Sequence, residues 1–218
     1  MPAAGDAQLA AVPKTQEIAL LAVPHVAVAR PGDAIAAGVT VAARRPITGE
    51  QTALPILSRT TTADGASWLH VMLPGRPNGR TGWILAQGTT LAKTPWRIAI
   101  SLSGRTVRVY RDGIFRRSFR AVIGKSSTPT PRGRFFVEEN VQMLPGAPGG
   151  PYALALSARS NVLQEFEGGP GQIAIHGMLN LAGTPGSAAS HGCIRLRTAD
   201  ITWLASRITT GVQISVTR

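Results

Sequence analysis

Residues 190–196, SHGCIRL, contain the chain's only cysteine, Cys193, with His191 two places before it and Arg195 two places after. One cysteine cannot close an intramolecular disulfide, so Cys193 is either a small buried apolar residue or a reactive thiol. Read as a strand, the stretch puts Cys193 and Arg195 on one face and turns Ile194 and Leu196 toward a core, with the guanidinium about 7 Å along from the thiol's origin. A fixed guanidinium in that place suits a substrate carboxylate.

Acyl transfer by a thiol needs a base, an orienter for the base and donors for the developing oxyanion. His191 is the neighbour in sequence, but His176 ends a separate strand, QIAIHG over 172–177, with Ile173 and Ile175 on one face and Ala174 and His176 on the other. A neighbouring strand brings such an imidazole to the sulfur, so His176 is the favoured base and His191 a supporting hydrogen-bonding group. The carbonyl of Gly177, or another backbone oxygen, would hold the second ring nitrogen and select the tautomer. Gly192 has no Cβ to obstruct a carbonyl, and its N–H and that of Cys193 are the expected oxyanion donors.

Outward from this centre the pattern is mostly β. Upstream, WRIAISL, TVRVY and IFRRSFRAVIG form an antiparallel meander, reversed at Asp112-Gly113. KSSTPTPRGRFFV follows, stiffened by Pro129 and Pro131 and released into a strand by Gly133. Downstream, Thr198 caps a short helix with Ile201, Leu204, Ala205 and Ile208 on one stripe, Gly211 ends it, and VQISV closes the sheet.

Two resemblances emerge from these residues. His176-Gly177 followed by Ser190-His191-Gly192-Cys193-Ile194-Arg195-Leu196, with GKSSTPTPRGRF upstream, resembles the active-site signature of the L,D-transpeptidases of bacterial peptidoglycan, the YkuD fold, over residues 96 to 218. It implies a β-sandwich catalytic domain with one or two short helices, in which Cys193 is nucleophile, His176 base, and His191, Ser190, Gly192 and Gly177 shape the site. It further implies attack on a tetrapeptide stem, release of D-Ala and a 3→3 cross-link, and acylation by carbapenems. Water as acceptor would give an L,D-carboxypeptidase instead, and a degenerate site a wall-binding protein. Many members carry Asn where this chain has Arg195. The segment 140–156 is expected to cross the site, with Tyr152 as a wall residue. Short β-like runs between Val39 and Leu91, with Trp68, the Asn78-Gly79 reversal and Gly82-Trp83, resemble the bacterial SH3-like module, a small barrel. The organisation is therefore a flexible linker over 1–20, an SH3-like module over 21–92 and a catalytic domain over 93–218.

Composition agrees with a loop-rich globular protein: 44% hydrophobic and 16% charged residues, 24 glycines and 16 prolines. The net charge of +12 fits either a solvated basic face or a polyanionic partner, and because the basic residues neither alternate with aromatics nor line a helix, the partner expected is an anionic wall polymer and not nucleic acid. No run approaches the roughly 20 apolar residues of a membrane span, and residues 1–24 lack the basic region and long apolar core of a signal peptide; the resemblance alone implies extracytoplasmic placement, with a signal or anchor expected outside these residues. No cofactor is called for. His176, His191 and Cys193 are three conceivable zinc ligands, with Asp200 the nearest downstream carboxylate, but CxxC and HExxH are lacking. Glu165 and Glu167 lie too close in sequence to oppose one another across a glycosidic bond. His25 and His70 read as surface or turn residues, Trp68 and Trp83 as barrel core, and Arg116 and Arg117 as solvated.

Overall fold

The computed structural model describes residues 12–165 and 169–218. Its first part holds β1 (Gln16–Leu21), β2 (His25–Ala27), β3 (Val39–Val41), β4 (Ala53–Thr61), β5 (Ser67–Met72), β6 (Thr81–Leu85) and β7 (Thr89–Thr94). Five of these form an antiparallel sheet in the order β6-β5-β4-β1-β7, while β2 and β3 pair with each other. Residues from Gln16 onward thus belong to a central strand, which corrects the reading of a linker through residue 20; residues 1–11 of that call lie outside the described residues. The strand is short and its partners, β4 and β7, are distant in sequence, so no local signal exposes it.

The second part holds β8 (Trp96–Ser101), β9 (Thr106–Arg111), β10 (Ile114–Arg120), β11 (Ile123–Gly124), β12 (Gly133–Gln142), β13 (Tyr152–Arg159), β14 (Gln172–His176), β15 (Ala188–Ser190), β16 (Ile194–Arg195), α1 (Thr198–Ala205) and β17 (Gln213–Thr217). Eight strands make one sheet in the order β10-β9-β8-β17-β12-β13-β14-β16, and β11 pairs with β15. The β8-β9-β10 meander is present, and Asp112 and Gly113 both take positive φ at its turn. Among the described residues the chain is mainly β with one short α-helix.

Two local expectations are corrected. Arg197, not Thr198, is the residue before the first turn of α1, and no side chain caps it; Thr198 is already helical. The helix stops at Ala205, six residues before Gly211, whose φ of +81° serves the turn into β17. β17, the last strand, joins the sheet between β8 and β12.

Alternation on β12 ties the two parts together. Phe135 enters the core with Ile98, Leu154, Ile175, Ile194 and Leu196, whereas Phe136 enters the core of the N-terminal sheet with Leu21, Leu54 and Ile84. Burying a phenylalanine contributes about 2–3 kcal/mol, so β12 alone gives each part a substantial share of the other's packing. Gln16 adds polar contacts across the same seam, donating to the Trp96 carbonyl at 2.7 Å and accepting from the Gln213 N–H at 3.1 Å.

Candidate active site

β14 and β16 run parallel and in register, Ile175 opposite Ile194 and His176 opposite Arg195. Their buried isoleucines anchor the pair in the core, which fixes the opposite faces toward a cleft of about 730 Å³. Cys193, His176, His191 and Arg195 line that cleft together. Cys193 also borders a smaller recess on its other side, with Ser160, Leu163, Ile173 and His191. The thiol is half-buried and therefore not sealed in aliphatic packing.

The turn that presents the thiol is held by hydroxyl groups. The fully buried Ser190 donates from Oγ to the Cys193 carbonyl at 2.6 Å and accepts the Gly192 N–H at 3.1 Å. Thr130 Oγ1 donates to the Gly192 carbonyl at 2.8 Å while accepting the Gly124 N–H at 2.9 Å, and Thr128 Oγ1 donates to the Ser190 carbonyl at 3.2 Å. The Pro-rich segment is thereby the frame of the cysteine turn, and Thr128 and Thr130 are the residues that sequence reasoning passed over; their alternation with Pro129 and Pro131 was the available signal. Gly124 is tightly framed as well, since a Cβ there would stand 2.4 Å from the Thr128 carbonyl oxygen. Gly192 has φ +120°, a conformation reserved for glycine. Its N–H is committed to Ser190, so the expectation that it stands ready as an oxyanion donor is corrected.

The His176 ring lies with Nδ1 2.8 Å from the Gly177 carbonyl oxygen. A carbonyl only accepts, so Nδ1 carries the proton and Nε2 holds a lone pair. Burial, against an opposing pull from hydrogen bonds to the Gly177 and Gly149 backbone and with a smaller push from the Arg195 charge, lowers His176 to about 4. The imidazole is neutral at neutral pH, the form a base requires. The β12–β13 loop lies over it: a Cβ on Gly149 would stand 2.6 Å from Nδ1, and one on Gly177 would strike the Gly150 carbonyl oxygen. The expected crossing by this segment is thus where Gly149, Gly150 and Pro148 run. Tyr152 is not part of it; it packs against the core of the second part and is absent from the cleft lining, since neighbouring residues of a strand face opposite sides and Ala153 takes the cleft side of β13.

Arg195 keeps its side chain in the cleft, donating from Nη1 to the Ala182 carbonyl at 2.7 Å, while its buried Nε has no hydrogen-bond partner. Asp200 is engaged by Arg197 at 2.9 Å. Glu165 is exposed, and Glu167 lies outside the described residues. His25, read as a surface or turn residue, is buried at 6% exposure with its ring nitrogens 2.8 Å and 3.0 Å from the carbonyls of Val23 and Gln87. His70 stacks on Trp83 at 4.8 Å. Arg117, read as solvated, is exposed, with its guanidinium 5.1 Å over the Trp203 ring.

The family profile of the YkuD L,D-transpeptidase catalytic domain matches residues 95–216. The chain belongs to the YkuD L,D-transpeptidase family. It is 38% identical over 123 residues to an L,D-transpeptidase YkuD of Bacillus licheniformis, an alignment covering 56% of this chain and 66% of that one, just under two thirds. The L,D-transpeptidase YkuD of Bacillus subtilis is 30% identical over 148 residues, with 68% and 74% covered. Among solved structures, an L,D-transpeptidase from Mycobacterium smegmatis aligns at a TM-score of 0.46 and 18% identity, covering 88% of this chain and 99% of its own. Family membership supports a transpeptidase function in general; the profile begins one residue before β8, so it does not speak for the N-terminal sheet.

Proposed function

We propose that the protein is a cysteine-dependent L,D-transpeptidase of peptidoglycan. The observation that carries this reading is that Cys193 and a neutral His176, with its Nε2 lone pair available by tautomer, open onto one cleft. In the proposed cycle His176 Nε2 takes the thiol proton as Cys193 Sγ bonds to the carbonyl carbon at the L-centre of the third stem residue. The carbon–nitrogen bond to the terminal D-Ala then breaks, and the imidazolium returns the proton to the departing amine. A side-chain amine of a second stem attacks the thioester, loses its proton to His176 and expels the thiolate, leaving a 3→3 cross-link.

Because the resting imidazole is so weak a base, a stable thiolate–imidazolium pair is disfavoured, and proton transfer accompanies attack rather than preceding it. Arg195 would take a stem carboxylate, and Ser190, Gly192 and Gly177 hold backbone geometry while His191 flanks the thiol. Extracytoplasmic action and an association of the N-terminal sheet, read as SH3-like, with wall polymers complete the proposal. Incubation with a disaccharide tetrapeptide tests it: cross-linked dimers support transfer, tripeptide alone means hydrolysis by the same thiol, and no product from the wild type counts against the enzyme.

A further inference from the structure

The cleft has a wall that the catalytic domain does not supply. Arg45, Pro46 and Ile47, from the turn between β3 and β4, line it together with His176, Cys193 and Arg195. Ile47 is 62% exposed there, so its side chain is open to whatever occupies the cleft.

This turn is held by a device in β12. Val137 pairs with Leu156 and Glu139 with Ala155, so Glu138 is an extra residue, a bulge. In a regular strand, residues 138 and 139 would point to opposite faces; here both carboxylates are 1% exposed and both reach the same turn. Glu139 Oε2 accepts the Ile47 N–H at 3.1 Å, the Thr48 N–H at 2.9 Å and the Thr48 hydroxyl at 3.1 Å. Glu138 pairs with Arg45 through one oxygen and stands 3.1 Å from Arg159 Nη1 through the other. A second turn of the N-terminal part grips the segment behind the smaller recess: Asn78 exchanges hydrogen bonds with the Arg159 backbone at 2.7 Å and 2.8 Å, and Arg76 donates to the carbonyls of Ser160 and Leu163.

Burying four charges in a seam is a poor route to stability, since apolar side chains of like volume commonly do as well. Their effect is to fix where the turn sits. We propose that the Arg45–Ile47 turn is a substrate-contacting wall of the thiol cleft, with Ile47 the contacting side chain and Glu138 and Glu139 its positioning residues. The ligand it fits is an anionic peptide with an alkyl segment. Ile47 lines the cleft with the apolar Met143, Pro148 and Leu181, while three arginines (45, 159 and 195) outnumber two glutamates in the same lining, leaving positive charge in excess. The inference rests on the transpeptidase reading and assigns recognition to a part of the chain outside the matched catalytic domain.

The test uses the full chain with Ile47→Asp, an exposed site where folding tolerates change, and Glu139→Ala, which releases the turn. D-Ala release from a disaccharide tetrapeptide gives kcat and KM, and alkylation of Cys193 by the small neutral reagent iodoacetamide reports the thiol by itself. Ile47→Asp is expected to lower kcat/KM about tenfold, chiefly through KM, with alkylation within about twofold of wild type. Glu139→Ala should raise KM in the same sense. Unchanged KM in Ile47→Asp with an active wild type would overturn the wall, as would an equal loss of alkylation, which would place the effect at the thiol. A wild type that alkylates but releases no D-Ala would instead overturn the transpeptidase reading on which the wall depends.

Discussion

The Ser190 hydroxyl lies 2.6 Å from the Cys193 carbonyl oxygen and closes the turn that aims the thiol into the cleft. It also accepts the Gly192 N–H, so one buried side chain holds the 191–192 and the 193–194 peptide groups on either side of the turn. Ser190→Ala removes both bonds without changing volume much. It is expected to cost about 1–3 kcal/mol of stability and to lower kcat more than KM. Urea unfolding beside steady-state kinetics checks this, and an unchanged kcat would show that the turn holds its shape without the hydroxyl.

Thr130 makes a comparable pair of contacts, to Gly124 and Gly192, from another segment. Thr130→Val is isosteric but leaves a buried N–H and a buried carbonyl without that partner. A loss of about 2–3 kcal/mol is expected, with Thr130→Ser retaining most of the stability. Denaturant midpoints of the two variants make the comparison directly.

How much of this was legible in the sequence differs by the range of the interaction. The alternation of Ile173 and Ile175 against His176, and the Asp112-Gly113 reversal, are set within a few residues and could be read. The cysteine turn was legible as a motif, yet its frame was not, because Thr128 and Thr130 reach it across 62 residues. β1 was taken for linker since a six-residue strand shows itself only against β4 and β7. The bulge at Glu138 left no trace, because its sense depends on Arg45, 93 residues away. Tyr152 faces the core and Ala153 the cleft, because the face each residue of β13 takes is set by its pairing with β12 and β14 and not by the local sequence.

His176 gives a pH dependence of known sign. Its folded value, about 4, lies below the roughly 6.5 of an unfolded histidine, so between these values the unfolded chain binds more protons. The stabilising contribution of the neutral ring is therefore full above about 6.5 and is lost as pH falls toward 4. Wild type and His176→Gln should converge in melting temperature over that window. For the same reason the acid limb of kcat/KM should lie well below 6.5; a limb at 6.5 would mean that the ring is solvated before substrate binds.

Arg159 stands against Glu138 with burial pushing its guanidinium down to about 10, still charged at neutral pH. Arg159→Met strips one partner from a buried carboxylate and is expected to cost about 3 kcal/mol or more. Because the seam joins both parts, calorimetry should show the whole chain melting earlier, rather than the N-terminal sheet alone.

The measurement closest to the centre of this account is intact-protein mass spectrometry after incubation with meropenem, followed by peptide mapping. One adduct per chain is predicted, on Cys193, absent in Cys193→Ala and slowed by orders of magnitude in His176→Ala. A wild type that stays unmodified, or an adduct that survives replacement of Cys193, would contradict the assignment of that thiol as the acylated group.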